Sequence, residues 1–167
     1  MAIVMKQDEL MQRLDKEFEA MRNDLKIKSS FEELDKVFFL RDYFLKEGYI
    51  SVKLSRAVCR RIVDFYMGWV GYLHGVILPN PSSMINVTEH NMFDDKEKDD
   101  ILNLMNTILA HSSRNTLIGL IMDRKDEAKF IDESLRLWKE DVQPKMVAMM
   151  VKVNKAWVDK SNEKPSS

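Results

Sequence analysis

The chain has 167 residues, close to the length of one domain, and its mixture of 45% hydrophobic and 32% charged residues excludes a disordered protein. Its formal net charge of −1 produces no overall field that would draw it to nucleic acid or to a membrane. Five glycines and four prolines are too few for the many tight turns of an all-β protein, so long helices are expected.

Cys59 is the one cysteine of the chain, which excludes an intrachain disulfide. No secretory signal precedes the charged residues near the start, and no uncharged apolar run reaches the about 18 residues that a membrane span needs. We therefore expect a soluble cytoplasmic protein with no membrane span, in which Cys59 is buried rather than reactive.

A first helix is predicted from Asp8 to Lys26, because apolar residues recur there every three or four positions on one side. A second helix begins after Ser30, whose hydroxyl and the carboxylate of Glu33 have the spacing of a capping box. Gly48 is expected to end this second helix, since glycine favours the left-handed conformation found at helix ends.

The third helix is predicted from about Val52 to Leu78 and is the most hydrophobic element. Pro79 and Pro81 end it, because a proline cannot donate the backbone hydrogen bond that a continuing helix requires. Residues 79–93 form the longest irregular connection, which we interpret as a crossover and, alternatively, as a lid or binding loop.

The fourth helix is capped by Asp94 or Asp95 and extends as far as Asp123. Residues 125–159 are predicted to form one long helix or two, depending on Pro144, and we favour a break at this proline.

These elements predict the all-α fold class: a compact bundle of about five to six helices, with a long connection between the third and the fourth. One helical-bundle domain is expected over residues 1–160, followed by a mobile polar tail at residues 161–167.

Gly68, Gly71 and Gly75 share one face of the third helix, and each costs about 1 kcal/mol of helix stability relative to alanine. Tight helix packing on this face is the favoured interpretation. The alternatives are a dimer seam, or a pocket floor with Arg61 and Asp64 at its rim, where the two side chains have the spacing of an ion pair.

The fourth helix contains a polar run at residues 111–116, and Thr107, His111 and Arg114 share a face. A buried polar network that fixes helix register is the favoured interpretation, and the near-neutral pKa of histidine leaves an acid–base role open. If the third and fourth helices face each other, a ligand pocket is possible. Its candidate residues are Arg61, Asp64, His74, His111 and Arg114.

Lys53, Arg56 and Arg60 form a basic stripe on the third helix, with Tyr66 and Trp69 nearby as possible stacking surfaces. The stripe is a candidate nucleic-acid site, and a solvated helix face is the simpler interpretation.

An apolar stripe with many methionines runs along the last helix, beside several lysines. Its members are Met146, Met149, Met150, Val153 and Trp157. Packing in the core is the favoured interpretation, and an interface with a partner protein is the alternative, because methionine suits adaptable contacts.

No catalytic residue, cofactor or metal site is predicted. One cysteine and three scattered histidines do not form a standard zinc site, although carboxylates leave a magnesium site open. The leading hypothesis is a non-enzymatic helical interaction or assembly protein that self-associates or belongs to a larger complex. The alternatives are a nucleic-acid-associated helical protein and an all-α enzyme or small-ligand binder.

Overall fold

Apolar residues that recur at helical spacing form the buried faces of helices along the chain. The structure is a computed structural model that describes residues 6–163 and residue 165. The described residues form helices and no strand, which confirms the predicted all-α class. In chain order the helices are α1 (Gln7–Leu25), α2 (Phe31–Phe38), α3 (Leu40–Glu47), α4 (Leu54–Ile77), α5 (Met84–Asn91), α6 (Asp95–Ile121), α7 (Arg124–Leu137) and α8 (Gln143–Asn162), with a π-helical turn at Trp138–Val142.

The second predicted helix is two helices, α2 and α3, because Phe39 adopts a left-handed conformation with φ 56°. The Phe39 N–H donates to Asp35 O at the end of α2. The Asp35 side chain accepts a hydrogen bond from the N–H of Arg41 at 2.8 Å at the start of α3. The predicted capping box is confirmed at Ser30, and Gly48 ends α3 with φ 76°.

The connection at residues 79–93 contains α5, so the expectation of one long irregular segment is corrected. Ser83 caps this helix by accepting the N–H of Asn86 at 3.2 Å. The cap lies within the segment that the sequence analysis assigned to the irregular connection.

Pro144 lies in the first turn of α8, a helix separate from α7, as the favoured prediction placed it, but no non-helical segment lies between the two helices. The backbone stays helical through the π-helical turn and into α8, where the proline occupies the first turn. The wider turn lies just before the proline, where its missing N–H and the bulk of its ring would interrupt regular α-helical hydrogen bonding.

The chain divides into two compact units, and each has its own buried residues. Unit one consists of Met1–Met67 and Ala110–Arg136, and unit two of Gly68–Leu109 and Leu137–Ser167. In unit one, α1 packs on α2 and α3. Its core includes Leu14, Phe18, Leu34, Phe38, Phe44, Ile62, Tyr66, Phe130 and Ile131. The core of unit two includes Leu73, Val76, Phe93, Ile101, Leu104, Ile108, Val142, Met146 and Val153.

The single domain expected over residues 1–160 stays a prediction. In the expected tail, Ser161 and Asn162 belong to α8, whereas Lys164 and residues 166–167 lie outside the described residues. Among the described helices, none combines the length and apolar composition needed to cross a bilayer.

Candidate functional site

Arg56 lies in the first turn of α4, and α6 holds its guanidinium. Nη1 donates to Asn115 Oδ1 at 2.7 Å, and Nη2 donates to Asn115 O at 3.0 Å. One turn further along α6 is Gly119, where an added Cβ would lie 2.7 Å from Nη2 of Arg56. The absence of a side chain at Gly119 therefore permits this close approach, and the buried Asn115 fixes the orientation of the guanidinium.

Two cavities of unit one meet at Arg56. The larger is an open groove of about 830 Å³ between α1, the segment before α4 and the junction of α6 with α7. The smaller has a volume of about 100 Å³ and lies beside α3 and the start of α4. Ser51, Lys53 and Arg56 line both cavities, so the two are neighbours.

Positive charge concentrates in the smaller cavity. Lys53, Arg56 and Arg60 line it together with one carboxylate, that of Glu47. The groove has three carboxylates, those of Glu17, Asp24 and Glu127, and three cations, of which Lys53 and Arg56 are shared with the smaller cavity. An anionic group would therefore be attracted to the smaller cavity rather than to the groove.

Tyr43 and Tyr49 also line the smaller cavity, and sequence reasoning missed both. Burial first, and then the charge of Glu47, raises the pKa of Tyr43, so its hydroxyl stays protonated near neutral pH. No motif marks these tyrosines, because α3 and the segment after Gly48 bring them to the cavity only in the folded chain.

A buried polar cluster lies at the edge of the groove. The Ser55 hydroxyl donates to Glu127 Oε2 at 2.5 Å, and Cys59 Sγ donates to the Glu127 backbone carbonyl at 3.6 Å. Burial, with the charge of Glu127 adding to it and Arg56 opposing it, raises the pKa of Cys59 to about 12. The thiol is therefore buried and protonated, as expected, and is not a nucleophile near neutral pH.

Of the residues of the predicted ligand pocket, His111 and Arg114 are neighbours within unit one, whereas Arg61 and Asp64 have other surroundings. Arg61 Nε donates to Phe38 O at 2.7 Å, whereas Asp64 is exposed. These two described side chains form no ion pair, contrary to the prediction. His74 is exposed and belongs to unit two, while the other four candidates belong to unit one.

His111 belongs to a polar network of the kind predicted. Ser134 Oγ donates to Phe130 O at 2.6 Å, so it accepts its 2.7 Å hydrogen bond from His111 Nε2. The Tyr66 hydroxyl donates to Ser134 O at 2.6 Å, and the His111 ring stacks on Phe130 with centroids 4.4 Å apart. The network joins α4, α6 and α7 within unit one.

Burial and the neighbouring Arg114 lower the pKa of His111 to about 4, although Glu133 opposes this shift. Arg114 itself forms an ion pair with Glu133. His111 is therefore a neutral hydrogen-bond donor near pH 7, which suits a structural role better than acid–base chemistry.

The predicted basic stripe is only partly a solvent-facing surface. Lys53 and Arg60 are exposed, but the guanidinium of Arg56 is bonded to α6. Tyr66 is fully buried, and Trp69 stacks on Trp138 within unit two. Neither aromatic ring is an open platform for a base.

The methionine stripe of α8 packs mainly in unit two, as favoured from the sequence. Met146, Met149 and Val153 are buried, while Met150 and Trp157 are half-buried. The exposed apolar residues of α8 lie elsewhere on the helix. The large ones are Val147, Val151 and Val158.

The glycine face of α4 is not tightly packed at two of its three positions, contrary to the favoured prediction. An added Cβ at Gly68 or Gly71 would meet no described atom within 4 Å outside the adjoining helix backbone. Gly75 differs, because Asn86 of α5 lies 3.5 Å from its Cβ position.

An exposed apolar surface lies at the end of α6, and we name it the α6 end patch. It consists of Leu117, Leu120, Ile121 and Met122. Leu120 is 78% exposed and Met122 is 74% exposed, while Ile118 in the same turn is buried. Met122 ends the helix in a left-handed conformation with φ 62° and also lines the groove.

Among the described residues, no group of three or more histidine, cysteine, aspartate or glutamate side chains is arranged to hold a metal ion. No known protein-family model, characterised protein sequence or solved structure matches the chain.

Proposed function

We propose that the protein is a helical interaction protein that self-associates through the α6 end patch. The observation that carries this proposal is the exposure of four large apolar side chains, three in the last two turns of α6 and Met122 directly after it. Burying such residues against another surface removes apolar area from water, at roughly 25 cal/mol per Å². Clustered exposed apolar residues are typical of interaction sites, whereas single ones are common on any surface.

The proposed partner is a second copy of the chain. Charges of both signs border the patch at Asp123, Arg124 and Lys125. In a two-fold interface the same surface meets itself, so a carboxylate of one copy can approach a cation of the other. The net charge of −1 produces little repulsion between copies.

Sedimentation velocity over a concentration series tests this proposal with the substitution Leu120→Lys. We expect the wild type to form dimers with rising concentration, and the variant to stay monomeric, because a lysine in the patch would be desolvated in the interface. Val151→Lys on α8 is the matched control, since this side chain is similarly exposed but lies outside the patch.

A wild type that sediments as a monomer at every concentration would refute the proposal. So would a Leu120→Lys variant that associates as strongly as the wild type, or a Val151→Lys variant that is equally impaired.

We also propose a cytoplasmic location. The support is Cys59, a buried free thiol in a chain that has no second cysteine to pair with it. A protein stabilised without disulfides suits a reducing compartment.

A further inference from the structure

Cations predominate in the lining of the smaller cavity of unit one. Lys53, Arg56 and Arg60 line it with one carboxylate, that of Glu47, and the charge of Asp64 also acts on Tyr43 in this cavity. In the part of the chain that the structure describes, none of the three cations forms an ion pair. α4 begins at Leu54 beside the cavity, and its N-terminus adds a partial positive charge.

Arg56 is oriented without a ligand, and its donors are not exhausted. A guanidinium has five N–H groups, and the two hydrogen bonds to Asn115 use two of them. The remaining three are without a partner among the described residues. A fixed fork of donors loses little side-chain entropy when it binds an oxyanion.

The volumes of the two cavities suit two parts of one ligand. About 100 Å³ is below the roughly 300–1,000 Å³ of ordinary ligand pockets, so the smaller cavity holds one compact group. The groove, at about 830 Å³, lies within that range and has three carboxylates in its lining. A ligand with a compact anionic head and a largely uncharged body matches this division.

We propose that the two cavities bind a small-molecule phosphate monoester, with the phosphate in the smaller cavity and the organic body in the groove. A phosphate monoester carries close to two negative charges at neutral pH, and three cations line the smaller cavity. Its tetrahedral oxygens can accept hydrogen bonds from Lys53, Arg56 and Arg60 at once.

A nucleic-acid strand fits this geometry less well. Binding along a phosphate backbone needs several accessible cations in a row. Lys53 and Arg60 are exposed, but Arg56 is half-buried and bonded to α6. The concave site therefore favours a small molecule over a polynucleotide.

Isothermal titration calorimetry at constant ionic strength tests the proposal with defined probes. The probes are ribose 5-phosphate, glucose 6-phosphate, inorganic phosphate and, as neutral controls, ribose and glucose. We expect at least one sugar phosphate to bind more tightly than inorganic phosphate, because its body occupies the groove, and neither neutral sugar to bind. Absence of binding by both sugar phosphates at millimolar concentration would overturn the proposal.

Lys53→Ala and Arg60→Ala identify the site. Both side chains are exposed, so their removal leaves the fold intact, and each should weaken sugar-phosphate binding about tenfold by removing one charge-assisted hydrogen bond. Lys125→Ala, an exposed lysine outside both cavities, should leave the affinity unchanged. Equal binding by all three variants would refute the assignment, as would binding of a ten-nucleotide RNA under conditions where the sugar phosphates do not bind.

Gly119→Ala tests the positioning of Arg56. The new Cβ would lie 2.7 Å from Nη2 and 3.0 Å from Cζ, so the guanidinium must move away from α6. We expect weaker sugar-phosphate binding with an unchanged circular dichroism spectrum. An unaltered affinity would contradict a role for the fixed guanidinium.

Discussion

At the scale of single residues, the surroundings of a side chain decide its charge more than its type does. His111 has its pKa lowered from 6.5 to about 4, mainly by burial and then by Arg114. The folded protein therefore disfavours the protonated imidazole, while the unfolded chain accepts the proton near pH 6.5. The stability contributed by the neutral ring is present above that pH and decreases as the pH falls toward 4.

His111→Phe should reduce the pH dependence of the free energy of unfolding between pH 6.5 and pH 4. The new ring can keep the stack on Phe130, and it carries no titrating nitrogen. Urea unfolding at a series of pH values measures the slope for the wild type and the variant. His74→Phe is the control, because that side chain is exposed; equal slopes for His111→Phe and the wild type would contradict the assignment.

Glu89 offers a second prediction at this scale, because one buried carboxylate joins three helices of unit two. Its Oε2 accepts from the Tyr72 hydroxyl at 3.0 Å, and its Oε1 accepts from Trp157 Nε1 at 3.0 Å. Burial, and then the hydrogen bond to Glu89, raises the pKa of Tyr72, so the hydroxyl remains a donor. Glu89→Ala should lower the free energy of unfolding by about 2–3 kcal/mol, since two donors lose their acceptor.

Chemical denaturation with tryptophan fluorescence measures this loss. Glu89→Gln is the matched comparison, because it keeps one acceptor oxygen of similar size and should cost less than the alanine. A Glu89→Ala variant as stable as the wild type would show that the carboxylate contributes nothing to unit two.

At the scale of helices, the glycines of the chain should respond to substitution with opposite signs. Gly68 and Gly71 lie inside α4 with open space at their Cβ positions, so alanine should add about 0.5–1 kcal/mol at each through helix propensity. Gly48 has φ 76°, where a Cβ is disfavoured, so Gly48→Ala should cost about 1 kcal/mol.

Thermal and urea unfolding of the three alanine variants would test this contrast. Destabilisation by Gly68→Ala and Gly71→Ala would mean that another molecule packs against this face of α4. The decisive comparison is the sign of the change in the free energy of unfolding for Gly68→Ala and Gly48→Ala, because both variants replace glycine by alanine.

The positions of most helices could be predicted from local signals. Apolar spacing placed α1, α4 and α6 to within a few residues, and a capping box marked the start of α2. The turn at Phe39 could not be predicted, because phenylalanine rarely adopts a left-handed conformation. That turn is stabilised by the hydrogen bond from Arg41 N to the Asp35 side chain, and no local sequence pattern indicates this bond.

The candidate site was predictable only in its cations. Lys53, Arg56 and Arg60 stand out in the sequence, but Asn115 lies 59 positions from Arg56 and gives no sign of its role as an acceptor. From the sequence alone, which does not reveal that contact, the three cations are expected to form a convex stripe rather than the wall of a cavity. The tertiary contacts between distant helices are therefore the reason that we propose a small-molecule ligand here and not the nucleic-acid strand that the sequence suggested.

At the scale of the whole molecule, association and ligand binding are proposed for neighbouring parts of unit one. Met122 belongs to the α6 end patch and also lines the groove, so the two surfaces meet at this residue. The affinity for a sugar phosphate and the dimerisation constant should therefore be measured together. Leu120→Lys should change the dimerisation constant and leave the sugar-phosphate affinity unchanged, since Leu120 does not line either cavity.

The single thiol of Cys59 has a practical consequence for following the motions of unit one. A maleimide or disulfide reagent can reach this sulfur only during a transient opening of unit one, because Sγ is fully buried and contacts the Glu127 carbonyl of α7. The labelling rate in native buffer thus reports how often unit one opens around Cys59, without any engineered probe. Slower labelling in the presence of a bound compound would indicate that the compound holds unit one closed.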